Sequence, residues 1–202
     1  LVWLLAKLCL PEALGALCAA AFPWLVTGFL HLDGYMDVCD AVLSRRDLAT
    51  RQKILKDSHC GAFAVIAMVL LALTQWIVCQ SVSLNEIPLL PLAALPCAVR
   101  AAAALAVSHL RPLSTSQYAA QPKPPARHTA ALVLMLAAAC VLPPLFCGMS
   151  GFAPLIGAAG YGLAVWYAFR QLDGMSGDIS GFALTLGELT GLAFLFLTRY
   201  YV

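Results

Sequence analysis

The sequence predicts an all-α fold, a polytopic bundle of helices embedded in a membrane, on three observations. Hydrophobic residues fill 62% of the 202 positions and charged residues 11%, with a mean hydropathy of +0.86; ordinary soluble domains carry about 25% charged residues. The apolar residues fall in long runs, and about 20 of them suffice to cross a hydrocarbon core of about 30 Å. The charges gather in the connections between the runs.

In order along the chain, "LVWLLAKLCL" reads as the tail of an apolar segment already under way, so residues 1–10 are expected to be the end of a partial helix whose earlier part is missing. No charged leader with a small-residue cleavage site precedes it, so a signal peptide is not indicated. Six further stretches are long enough to span: 13–32, 62–80, 87–107, 129–147, 151–169 and 181–198. "CLPE" precedes the first, the polar stretch 33–60 separates it from the second, and "QSVSLNE" ends the second. A Pro-rich connection follows the third, "GMSG" follows the fourth and "RQLDGMSGD" the fifth. Pro143 and Pro144 fall inside the fourth run, which is therefore expected to kink or stop early. The whole of 1–202 reads as one transmembrane domain. None of the eight cysteines forms a C-x-x-C pair or has zinc-ligand spacing, so they read as small buried residues.

Alternating sides sort the loops into two sets. Loops 33–61, 108–128 and 170–180 carry nine basic residues, whereas the opposite side has two, Lys7 and Arg199. That bias places the first set in the cytoplasm. Seven of the ten acids, Asp33, Asp37, Asp40, Asp47, Asp57, Asp173 and Asp178, lie in the same loops. A net charge of +2 gives no sign of a nucleic-acid surface.

The densest acidic stretch is "HLDGYMDVCD", residues 31–40. If the helix continues past His31, then Asp33, Asp37 and Asp40 stand at i, i+4 and i+7, a narrow stripe at about 100° per residue. Stacked carboxylates repel unless a cation sits among them. Hard divalent cations such as Mg²⁺ take carboxylate oxygens together with substrate phosphates. A metal bridging these aspartates to a diphosphate therefore accounts for the cluster, and Gly34 leaves a ligand room to approach the backbone. The competing reading is a solvated helix end. His31 is either a base or ligand-orienting group, or a hydrogen-bonded interfacial residue.

Arg45, Arg46, Arg51, Lys53 and Lys56 follow, either to meet anionic headgroups or to hold substrate phosphates. Asp57, Ser58 and Gly61 stand where the next span begins, mirroring the acid and glycine at 33–34. In 171–188, glycines including Gly177 allow tight turns, and Asp178 is either a helix N-cap or a site residue. Glu188 lies about 15 Å deeper along the last helix. A carboxylate there needs a partner, and Arg100 of the third span is the candidate.

These blocks resemble the cobalamin synthase family. "FLHLDGYMDVCDAVLS" matches its H-x-D-G-x-x-D-x-x-D run, "ILKDSHCGAFAVIA" its basic segment ending in Lys-Asp-Ser and a glycine, and "SGDISGFALTLGELTGLAFL" its last span. "AVRAAAAL", with Arg100, resembles a fourth block. Ala41 and Thr185 depart from the family pattern, which has glycine and often an acid there. The resemblance implies a multi-pass enzyme of the bacterial inner membrane, dependent on Mg²⁺ and facing the cytoplasm. It would join adenosylcobinamide-GDP to α-ribazole, or to α-ribazole 5′-phosphate, and release GMP. Metal ligands would be Asp33, Asp37 and Asp40, completed by Asp57 or Asp178. Asp37, Asp40 or His31 would take the hydroxyl proton. Substrate would meet Gly34, Arg51, Lys56, Ser58, Gly61, Arg100, Gly177 and Glu188. Rivals are a CDP-alcohol phosphatidyltransferase, whose Asp-x-x-Asp-Gly order and following Ala-Arg are absent, and an ion-coupled transporter, which predicts acids spread through the membrane depth.

Overall fold

The structure, a computed structural model, describes residues 11–81, 83, 86–114, 116, 118–119 and 122–200. The expected partial helix at 1–10, with Lys7, lies outside them. Eight α-helices form among the described residues: α1 Glu12–Val26, α2 Leu30–Leu43, α3 Leu48–Ile54, α4 Ala62–Gln80, α5 Leu89–His109, α6 Ala126–Cys147, α7 Ala153–Leu172 and α8 Gly177–Tyr200. A 3₁₀ turn, Gly148–Phe152, joins α6 to α7. Residues with no N–H to satisfy, Pro11, Pro88 and Pro125, precede α1, α5 and α6. Asp47 caps α3 by accepting the Thr50 N–H at 3.0 Å.

The bundle is all-α and polytopic, and five of the six expected spans are single helices at or near their expected places. The first is not. The run 13–32 breaks at Thr27–Phe29, and α2 leaves α1 at 89°. Gly28 and Phe29 both have left-handed backbone, φ 58° and 63°, which a right-handed helix cannot absorb. The Thr27 hydroxyl donates to the Pro23 carbonyl at 3.0 Å and closes the end of α1. Apolarity extends across this break, so composition concealed it. At 14 residues, or about 21 Å, α2 is too short to cross by itself and is not among the spanning helices.

The fourth span does not stop early, because α6 runs through Pro143 and Pro144 to Cys147. From Ala126 to Leu172 the chain forms 47 residues of uninterrupted helix and turn. At about 1.5 Å per residue this is roughly twice a membrane's apolar thickness, too long for one crossing. The 3₁₀ turn folds it back, with Gly151 pressed against the backbone of Pro143 and Pro144. Both α6 and α7 then pack along α5.

The core lies where α2, α5, α7 and α8 meet, around Val38, Leu95, Val99, Leu172, Met175 and Ile179, all essentially excluded from solvent. Small residues bring α7 and α8 together. A Cβ on Gly187 would lie 2.9 Å from the Gly157 carbonyl oxygen, so only glycine allows this approach. The opposite faces present large apolar side chains such as Ile66, Leu70 and Leu163 outward, as a lipid-facing surface requires.

Candidate active site

The site is built where α2 crosses the first turns of α8. One face of α2, with Leu32, Tyr35, Val38, Cys39 and Val42, is buried. The other carries Asp33, Asp37 and Asp40, so the stripe expected from spacing forms on a single helix. Three contacts register α2 on α8. The rings of Tyr35 and Phe182 stack at 5.7 Å, and the Tyr35 hydroxyl donates to the Ala67 carbonyl of α4 at 3.3 Å. The Thr185 hydroxyl reaches the His31 carbonyl at 3.4 Å. At Gly34 the helices nearly touch, since a Cβ there would meet the Asp178 Cα and carbonyl oxygen at 2.8 Å.

This approach adds Asp178 to the stripe. It is not the helix cap, the other role open to it in the sequence: the Ser176 hydroxyl accepts the Ile179 N–H at 3.2 Å and fills that position. Burial, then the charges of Asp33, Asp178 and Asp40, push the Asp37 carboxyl up to about 6. The four acids thus act on one another as an electrostatic unit. Burial and the nearby Arg100 guanidinium hold His31 below its ordinary value, so the imidazole is neutral near pH 7. Arg100 itself donates to Glu188, the pairing the sequence suggested.

Other candidate residues stand around this centre or away from it. Gly61 faces Asp40, whose carboxylate occupies the space a side chain at 61 would need. Asp57 is not brought in. Its carboxylate is exposed and 2.6 Å from the His59 ring nitrogen, a hydrogen bond that holds Asp57 below the usual carboxylate range. Ser58 is exposed on the same loop. Arg51 turns to the end of α7, donating to the Arg46 carbonyl at 2.6 Å and to Gln171. Lys56 lines a cleft of about 280 Å³ with Ser116, Ser176, Gly177 and Asp178.

Sequence reasoning missed Ser176 and the segment 111–113. Ser176 had a readable signal, a serine just ahead of a helical run. The segment 111–113 had none. It is held by pairing across the chain: the Leu113 N–H donates to the Met175 carbonyl at 2.8 Å, and the Met175 N–H to the Arg111 carbonyl at 2.9 Å. An Arg111–Asp173 ion pair at 2.5 Å reinforces it.

No three His, Cys, Asp or Glu side chains among the described residues converge into a ready-made metal cage. The all-oxygen donor set nevertheless suits Mg²⁺, which keeps waters and binds through one or two carboxylates plus phosphate oxygens rather than in a closed protein cage.

Fold and site together define a multi-pass membrane protein with a carboxylate centre at the end of its bundle that bears the basic loops. The family model described as cobalamin-5-phosphate synthase matches residues 1–196, and the chain belongs to that family. An adenosylcobinamide-GDP ribazoletransferase of Clostridium botulinum is 38% identical over 175 residues, 84% of this chain and 69% of the relative. One of Clostridium perfringens is 35% identical over 197 residues, 96% of this chain and 78% of the relative. One of Geobacillus kaustophilus is 33% identical over 172 residues, 82% and 65% respectively. No solved structure matches the chain.

Proposed function

We propose that this chain is an adenosylcobinamide-GDP ribazoletransferase of the bacterial inner membrane, with its site toward the cytoplasm. It transfers the cobinamide phosphate of adenosylcobinamide-GDP to α-ribazole, or to α-ribazole 5′-phosphate, and releases GMP. The observation that carries this reading is the group of four aspartates that α2 and α8 bring around Asp37, in a chain of this family.

Mg²⁺ would be held by one or two carboxylates among Asp33, Asp37 and Asp178, with Asp40 beside them and phosphate oxygens completing the set; Asp57 is left out because His59 engages it. When bound, the ion neutralises the diphosphate and stabilises charge on the departing GMP oxygen. Lys56, in the cleft next to Asp178, supplies a cation to the phosphates. The ribazole hydroxyl oxygen bonds to the phosphorus attached to cobinamide, and the bond from that phosphorus to the GMP oxygen breaks. The neutral His31 is suited to accept the hydroxyl proton. Arg100, paired to Glu188, keeps a positive charge next to His31, which favours release of that proton afterwards.

The test uses detergent-solubilised protein with adenosylcobinamide-GDP, α-ribazole and Mg²⁺, following GMP. Metal-dependent GMP release that disappears in Asp37→Ala of unchanged helicity supports the proposal. No release by well-folded wild type overturns it.

A further inference from the structure

Away from the carboxylate centre, α5, α6 and α7 enclose a groove of about 740 Å³. Its walls are apolar, among them Leu105, Leu136, Ala158, Gly162 and Trp166, and a Cβ added to Gly162 would meet nothing within 4 Å. Trp166 is 59% exposed beside it. The groove runs to the end of the bundle that carries the basic loops, where His109 and Arg170 line it. His109 there meets Thr129 at 3.3 Å, joining α5 to α6.

Two guanidinium groups stand at this end of the groove. Arg170 lies over the Trp166 ring at 5.4 Å, and Arg111 over Phe169, another lining residue, at 5.8 Å. Arg111 is paired to Asp173, but Arg170 joins no ion pair among the described residues. An apolar slot between spanning helices, closed at the membrane surface by an unpaired guanidinium, matches a ligand with a hydrocarbon tail and an anionic head. Basic pockets between spanning helices on the cytoplasmic side take anionic lipid headgroups in this way. A free phosphate would leave the apolar length empty.

We infer that this groove is a binding site for one anionic phospholipid, its acyl chain lying along Gly162 and Trp166 and its phosphate at Arg170. The site is independent of the proposed transfer reaction, and its test does not use activity.

The protein is placed in bilayer discs containing phosphatidylglycerol or phosphatidylcholine with brominated acyl chains, which quench nearby tryptophan. The signal of Trp166 is isolated by subtraction of the Trp166→Phe variant. Half-quenching is expected at a mole fraction of phosphatidylglycerol roughly five-fold below that of phosphatidylcholine, the preference one guanidinium at a membrane surface confers. Arg170→Gln should abolish the preference, and Arg170→Lys, which keeps the charge, should retain most of it. Gly162→Leu, whose Cβ meets nothing within 4 Å, places its side chain at the groove and should weaken quenching by both lipids. Equal quenching of wild type by the two lipids means ordinary boundary lipid and overturns the inference. A preference that survives Arg170→Gln, or quenching unaltered by Gly162→Leu, also overturns it. So does protection of Trp166 from both lipids by a second copy of the chain.

Discussion

Replacing Gly34 with alanine adds one methyl group at the point where α2 and α8 are nearest. The new Cβ would lie 2.8 Å from both the Cα and the carbonyl oxygen of Asp178, and 3.2 Å from its carbonyl carbon. Ordinary contact begins at 3.4 Å, so these atoms must separate by at least 0.6 Å. The obstacle is backbone, which no rotamer change can move aside. Overpacking of this kind typically costs about 1–3 kcal/mol. Alanine in a helix recovers roughly 0.5–1 kcal/mol relative to glycine, leaving a net loss of up to about 2.5 kcal/mol. The effect on chemistry should be larger, because the movement separates Asp178 from Asp33 and Asp37; a displacement of about 1 Å can cost on the order of 100-fold in rate. The assay pairs GMP release with thermal unfolding in detergent. Gly162→Ala serves as control, since its new Cβ meets nothing and should leave stability unchanged or raised. A Gly34→Ala enzyme with wild-type rate and stability would refute the proposed packing of α2 on α8 and the site built from it.

Other outcomes follow from the same geometry. Asp33→Asn, Asp37→Asn and Asp178→Asn should each reduce metal-dependent GMP release at least about 100-fold, whereas Asp57→Asn, with its carboxylate engaged by His59, should reduce it far less; equal losses in all four would place Asp57 in the centre. Without metal, the raised Asp37 carboxyl makes the folded state bind its proton more tightly than the unfolded one. Stability from this group is therefore present below about pH 4 and lost as pH rises toward about 6. Melting temperatures of metal-free wild type and Asp37→Asn, measured across that range, should converge at the acid end and separate above it, with the variant the more stable. Ser176→Ala removes the cap of α8 and should cost about 0.5–2 kcal/mol in unfolding measurements. Glu188→Leu leaves Arg100 unpaired, and adding Arg100→Leu should restore part of the lost stability, measured as a double-mutant cycle.

Much of this arrangement was readable from the residues alone, for physical reasons that differ from one element to the next. Helices α4 to α8 were legible because long apolar runs bounded by proline, glycine and charge leave the backbone no alternative in lipid. The stripe of Asp33, Asp37 and Asp40 was legible because helical spacing is local. Glu188 and Arg100 were legible as a pair because a lone charge at that depth demands a partner. The break at Gly28 was hidden because it lies within continuous hydrophobicity and is set by two backbone dihedrals. The turning of Arg51 onto Gln171, and of Asp57 onto His59, was hidden for another reason: a polar side chain in a loop has several partners in reach, and only packing selects one. The contribution of 111–113 depends on pairing with residues about sixty positions later, which no local pattern records.

The meeting of Gly34 with Asp178 also governs when the protein becomes whole during synthesis. The two residues are 144 positions apart, counted from 34 to 178. When α2 leaves the ribosome its aspartates have no α8 to face, and at about 5–20 residues per second the missing half follows only about 7 to 30 seconds later. Through that interval a polar helix waits at the edge of the bilayer with its apolar side uncovered. Nascent chains halted before 178 should therefore be the form that membrane proteases and chaperones recognise, and arrival of α8 the event that ends their access.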